Sequence, residues 1–389
     1  MSELASESAS TVSGDRIAGI QLSSVAVPLP VPVSDAKVMT GRQRPMTEVR
    51  LLAVEVWTED GRGGLGISYS KRAGGDGQYA HALEIGEAAL GEDPSDIGKI
   101  YDKLLWAGAS VGRSGLATQA IGAFDIALWD LKGRRAGLSL AKLIGSYRDS
   151  VRCYNTSGGF FSSPLPEVLD NASAAVARGI GGIKIKVGHP DSKVDLERVE
   201  ALRSHLGPET ALMVDANQQW DRATALRMGR ALEQYQLTWI EEPVDCADVA
   251  GHAALAAALD TPVATGEMLT SPLEHTRFIE ASAVDILQPD APRVGGITPF
   301  LRVAHLADHK GLELAPHFAM ELHVHLAAAY PREPWLEHFE WLEPVFNERL
   351  EIAGGRITVP TAPGLGLSLS EQARRWTTAT AALGSGATS

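Results

Sequence analysis

Hydrophobic and polar positions change their period once along the chain. From Ile17 to about Trp57 the pattern is strand-like, most clearly in Leu51-Leu-Ala-Val-Glu-Val-Trp57, and Glu59-Asp-Gly-Arg-Gly-Gly64 predicts a turn. Apolar residues then recur at helical spacing over about Tyr79–Leu90, Asp96–Trp106 and Ala117–Arg135, with a stop at Arg134-Arg-Ala-Gly137. Residues 15–145 therefore read as one α+β domain. Beyond Gly145 short apolar strands alternate with helical segments: Val151–Asn155, Gly182–Val187, Ala211–Asn217, Trp239–Pro243, Pro262–Glu267, Asp285–Asp290, Leu312–His317 and, as an eighth candidate, Trp335–Trp341. About eight βα units in roughly 200 residues predict a parallel barrel of the α/β class, a (β/α)8 or TIM-type barrel, over residues 146–355. Residues 356–389, Gly-rich and then weakly helical, are expected to pack back on the first domain. Residues 1–14, rich in Ser, Ala and Glu, read as a disordered tail.

Composition narrows the function. Among 389 residues, 35 basic and 48 acidic side chains leave a net charge of −13, which argues against a general nucleic-acid binder and means that an anionic substrate must be held by local cations. No apolar run reaches the roughly 18 to 20 residues of a membrane span, so no membrane partner is expected. The first 14 residues lack the basic start and apolar block of a secretion signal. Cys153 and Cys246 form no CxxC pattern, and a reducing, cytoplasmic setting is expected.

Polar residues gather at the predicted strand ends: Lys184, Lys186, Asp215, Asn217, Glu241, Glu242, Glu267, Asp290, His317 and Glu337. Asp215, Glu241 and Glu267 recur every 26 residues, once per βα unit. A lone carboxylate after a strand usually caps the next helix. Three at an even spacing would converge on the open face of a barrel, where three oxygen ligands suit Mg²⁺. Glu242, one residue on, should point away into an ion pair. The period of two puts Lys184 and Lys186 on one inward face, where mutual repulsion should lower a pKa and yield a general base. Asp290 and His317 end adjacent strands and predict an Asp–His dyad. His323 and His325 read as packing. A metal flanked by two bases suits removal of a proton α to a carboxylate.

Lys184-x-Lys186, Asp215, Glu241, Glu267 and the Asp290/His317 pair resemble the mandelate racemase subgroup of the enolase superfamily, and the resemblance implies an enolase-like, modified barrel with an N-terminal capping domain. It implies Lys186 and His317 as bases, Lys184 and Asp290 as their partners, one Mg²⁺ per subunit on the three carboxylates, and Glu337 as a protonated electrophile. Pro32–Val38, Ser68–Gly75, Leu105–Arg113 and Glu333–Glu337 are similar to acid-sugar dehydratases of that subgroup. By that likeness Asp35, Lys37, Lys71 and Arg72 would hold the distal end of a six-carbon diacid, with Lys184, Asn217, His317 and Glu337 also touching substrate. The implied reaction is loss of water from galactarate and L-talarate, with some epimerisation, in a homo-oligomer. A racemase or dehydratase for another aldarate or aldonate is the alternative. Gly108-Ala-Ser-Val-Gly112 formally fits a serine-hydrolase elbow, but a predicted helix precedes it where an elbow needs a strand.

Overall fold

The computed structural model describes residues 15–385, so the tail expected over residues 1–14 lies outside the described residues. Three strands, β1 (Ile17–Val33), β2 (Met46–Thr58) and β3 (Gly63–Lys71), form an antiparallel meander. Both of its faces are buried. Ile20, Leu22, Leu52 and Val54 pack against helices Gly75–Gly86, Ile97–Ala107 and Leu116–Ala136, while Val25, Val27, Leu51, Ala53 and Tyr69 join a core shared with the barrel. The helix Leu116–Ala136 lies directly on β3, because a Cβ at Gly66 would stand 1.9 Å from the Ala123 carbonyl oxygen. At Gly122 the same helix meets the barrel, where a Cβ would stand 2.6 Å from the Pro292 carbonyl oxygen. Gly66 thus lets the helix lie on β3, and Gly122 lets the same helix close onto the barrel rim.

The barrel strands are β4 (Ser150–Asn155), β5 (Gly182–Lys186), β6 (Ala211–Asp215), β7 (Trp239–Glu241), β8 (Val263–Thr265), β9 (Ile286–Leu287), β10 (Glu313–Leu314) and β11 (Trp335–His338). All pair in parallel from β4 through β10, and β11 returns to β4 in the register Glu337↔Tyr154. Strand alternation sends Ile183, Ile185, Leu212, Val214 and Ile240 outward beneath the helices. Inward, Tyr154, Met213, Trp239, Ala264, Ile286, Ala315 and Trp335 fill the lumen, with the Tyr154 and Trp239 rings edge to face at 5.1 Å. This plug is the floor of the open face. No helix among the described residues is long and apolar enough to cross a membrane.

Two features depart from the sequence reading. The stretch after residue 355 is not separate from the barrel: β12 (Ile352–Ala353) and β13 (Arg356–Thr358) form a hairpin whose second strand pairs with β4, Arg356 opposite Arg152. The end of the chain is also less helical than expected. A short helix, Glu371–Arg375, leads into β14 (Thr377–Gly384), which pairs antiparallel with β1 from Gly19↔Gly384 to Val25↔Thr377. Thr-Thr-Ala-Thr-Ala-Ala has little pattern of its own, and the open edge of β1 decides its conformation.

Helix Met320–Ala328 is buried along its whole length, and neither carboxyl oxygen of its Glu321 has a hydrogen-bond partner. Burial pushes this carboxyl up to about 8. Because the folded value lies above the unfolded one, near 4.5, its stabilising effect is complete below about 4.5 and is lost as pH rises through about 8. Glu321→Gln is therefore expected to lose less Tm between pH 6 and pH 9 than the parent protein, by several degrees. Thermal scans at both values check this.

Candidate active site

The strand ends place the predicted carboxylates together. Asp215, Glu241 and Glu267, all buried, offer oxygens that lie within 4.8 Å of one another. Each is fixed from a different direction. Asp215 accepts from the Asn217 backbone and side-chain amides at 2.7 and 3.0 Å and pairs with the Lys186 ammonium. Glu241 accepts from Trp239 Nε1 at 3.2 Å and from Gln288 Nε2 at 2.7 Å. Glu267 Oε2 is 3.1 Å from His317 Nε2. Burial and the neighbouring Asp215, Glu337 and Glu267 push Glu241 up to about 7 against the pull of Lys184. Three buried carboxylates crowded in this way form a donor set that a hard divalent cation fits.

The lysines point inward, but their chemistry differs from the expectation. Burial alone would lower both ammonium groups; Glu241 and Glu337 instead carry Lys184 well above its ordinary value, and Asp215 raises Lys186. Lys184 Nζ lies 2.7 and 2.9 Å from the two Glu241 oxygens and 2.9 Å from Glu337. Opposite charge at this range outweighs the repulsion between the two lysines.

Glu337 also departs from expectation. It accepts from Thr156 Oγ1 and from the Phe318 backbone amide, each at 2.7 Å, in addition to its Lys184 contact. Burial opposes ionisation, but Lys184 and His317 hold the carboxyl down at about 2, so it is a carboxylate here and not a protonated donor. Glu242 makes no ion pair among the described residues. Its carboxyl accepts from Gln218 Nε2 at 2.8 Å, and burial together with Glu267 and Asp215 drives it well above its ordinary range.

The Asp290–His317 pair is present, with Nδ1 at 2.8 Å from Oδ2. His323 sits behind it. That ring accepts from the Ala291 amide at 3.0 Å and lies 2.7 Å from the Phe318 carbonyl, so one side chain ties the residues following Asp290 and His317. His325 bridges Ala141 N and Leu365 O farther from the site. Non-glycine residues in the left-handed region collect around this rim: Arg72, Asn217, Gln218, Glu242, Phe318 and Ala319. Strained backbone of this kind persists where surrounding contacts over-determine it.

A cavity of about 190 Å³ opens between rim and cap, with Lys186, Asn217, Glu267, His317 and Glu337 on the barrel side and Asp35, Lys37, Lys71 and Arg72 on the cap side. The cap residues are not equivalent. Asp35 and Arg72 pair with each other at 3.0 Å, and Asp35 caps the turn Ala36–Met39. Lys71 lies beside the predicted base, its Nζ 3.1 Å from His317 Nε2, and burial lowers its pKa against Glu267 and Glu337. Arg293, which sequence reasoning missed, lines the same cavity and makes no ion pair among the described residues. Gln288 and Tyr69 were also missed. Gln288 lies two residues before Asp290, so strand alternation was the available signal for it. Ser110 of the GxSxG sequence sits in an exposed turn after helix Ile97–Ala107.

Comparison with known proteins bears directly on this arrangement. Residues 167–373 match the enolase C-terminal domain-like family, and residues 24–145 match the mandelate racemase/muconate lactonizing enzyme N-terminal domain. The chain belongs to the mandelate racemase/muconate lactonizing enzyme family. Among members of this family, the L-talarate/galactarate dehydratase of Salmonella typhimurium LT2 is 63% identical over 371 residues, covering 95% of this chain and 93% of that one. A crystal structure of that enzyme with Mg and L-lyxarohydroxamate superposes with a TM-score of 0.95, at 61% identity, covering 99% and 97% of the two chains. L-Talarate dehydratase from Polaromonas sp. JS666, complexed with Mg and L-glucarate, superposes at 0.93 with 67% identity, covering 95% and 100%.

Proposed function

We propose that this family member is a Mg²⁺-dependent hydro-lyase that converts galactarate and L-talarate to a 5-keto-4-deoxy-glucarate-type product. The observation that carries the reading is the meeting, in one cavity, of the Asp215/Glu241/Glu267 cluster, Lys186 and the Asp290–His317 dyad, in a chain 63% identical to a dehydratase of these diacids. Asp215, Glu241 and Glu267 would hold the cation. When bound, Mg²⁺ supplies positive charge that neutralises these carboxylates, loosens the hold of Asp215 on Lys186 and offsets the charge developing on the substrate carboxylate as its α-proton leaves.

The remaining work falls to side chains. Lys186 and His317 take the α-proton on their respective faces, and His317 returns a proton to the departing β-hydroxyl. Asp290 fixes the imidazole so that Nε2 faces the cavity. Glu337 holds Lys184 and the backbone beyond His317 in place. Asn217 and Lys184 would complete the contacts at the reacting end. Lys37, Lys71 and Arg293 supply cations for the second carboxylate, which favours a diacid over an aldonate; Asp35 enters through its pair with Arg72. We place the enzyme in the cytoplasm, with Cys153 and Cys246 as free thiols, and expect a homo-oligomer.

A panel of sugar diacids and monoacids, incubated with protein and Mg²⁺ and followed by ¹H NMR, tests the reading. Galactarate and L-talarate should give one common keto product with minor epimerisation, while aldonates persist. Turnover of aldonates alone would overturn it.

A further inference from the structure

Tyr69 belongs to the cap, yet its hydroxyl ends inside the barrel site. It lies near the end of β3, where Tyr69 pairs with Leu51 across the sheet. Its ring is buried and packs edge-on against Phe318, the residue after His317, at 4.7 Å and 66°. The hydroxyl donates to Asp290 Oδ2 at 2.5 Å, the same oxygen that takes His317 Nδ1 at 2.8 Å. It also lies 3.2 Å from Nδ1 itself. Asp290 Oδ1 accepts the Arg293 amide at 3.0 Å. A carboxylate with one oxygen shared by two donors and the other anchored to the Arg293 backbone amide has little freedom to rotate, so the plane it offers the imidazole is set partly by the cap.

We propose that Tyr69 is a cap-borne positioning residue that fixes the Asp290 carboxylate and, through it, the ring orientation of His317. This rests on the acid/base reading of His317 above. Tyr69 is not itself placed to exchange protons with substrate, because its hydroxyl is spent on Asp290, and burial beside that carboxylate keeps the phenol protonated. Phe318 provides the mechanical half of the arrangement. The ring that seats Tyr69 follows His317 directly and has a left-handed backbone, φ +55°. A shift of the cap strand therefore reaches both the carboxylate and the peptide of the base. No other residue of the cap touches Asp290 through a side-chain hydrogen bond among the described residues.

The test uses the full-length protein with Mg²⁺, comparing the parent with Tyr69→Phe, which keeps the ring, and Tyr69→Leu, which removes it. Tyr69→Phe is expected to lower kcat on galactarate and L-talarate about tenfold, with KM within twofold and Tm nearly unchanged. Tyr69→Leu should lose the same factor in kcat and, in addition, several degrees in Tm. A second readout needs no substrate: the Nδ1 proton of His317, assigned in ¹⁵N-histidine-labelled protein by its absence in His317→Asn, should shift and broaden through exchange with water in Tyr69→Phe. An unchanged resonance overturns the inference, as does a fall in kcat matched by an equal rise in KM. If the parent turns over neither diacid, the functional reading has failed, and the resonance alone decides the role of Tyr69.

Discussion

Lys186→Ala is expected to lower kcat by about 100- to 10,000-fold on the diacid whose α-proton Lys186 takes, the range that a positioned general acid or base contributes, equivalent to roughly 3 to 5 kcal/mol in barrier. His317→Asn, which keeps a hydrogen bond to Asp290 within reach, should lose a similar factor. The two variants should fail differently. A base that survives can still remove the α-proton from the face it serves, so in D₂O each variant should exchange the α-hydrogen of one epimer and leave that of the other untouched. ¹H NMR of recovered substrate reads this directly. Full turnover of both diacids by either variant would remove the residue from the mechanism. The environment of Lys186 makes the result informative: its ammonium is buried against Asp215, so its removal leaves a carboxylate without its cation as well as a missing base. Thermal unfolding of the Mg²⁺-loaded variant separates the two effects, because a metal-filled cluster does not need Lys186 for charge balance.

Removal of the metal is the second large effect. Chelation should bring dehydration to background, and added Mg²⁺ should restore it. A readout without catalysis is available: a ligand that binds only the folded state stabilises it by about 2.7 kcal/mol when present at 100 times its Kd. Mg²⁺ should therefore raise the Tm of the parent and leave that of Glu241→Gln unmoved. The crowding that pushes Glu241 up to about 7 gives the direction, since cation binding and loss of a proton from this carboxyl go together. The Mg²⁺-dependent rise in Tm should accordingly be larger at pH 8 than at pH 6. An equal rise in Glu241→Gln and the parent would place the cation elsewhere.

The parts of this site that were legible in the sequence are those that barrel periodicity dictates. Asp215, Glu241 and Glu267 could be grouped because strand, helix and loop repeat at nearly constant length, so equal spacing along the chain became adjacency on a circle. Asp290 and His317 followed from the same logic. What periodicity does not carry is the state of each group. Proximity of Lys184 and Lys186 suggested a lowered pKa, yet the carboxylates of neighbouring strands reverse the sign, and only the register of β5 against β6 and β7 brings them into range. Glu337 could be placed at a strand end but not recognised as a carboxylate satisfied by Thr156 and the Phe318 amide, because those donors lie 181 and 19 residues away. Tyr69 was invisible for the same reason: it reaches Asp290 across 221 residues, through docking of one domain on another.

The pairing of β14 with β1 has a consequence for the chain as it is made and broken. Until Thr377–Gly384 is in place, the outer edge of β1 from Gly19 to Val25 offers a row of unsatisfied backbone donors and acceptors. Such an edge can pair with another molecule as readily as with its own strand. The last strand is thus a cover against aggregation: nascent chains and proteolytic fragments that lack it would carry a complete barrel and an adhesive flank.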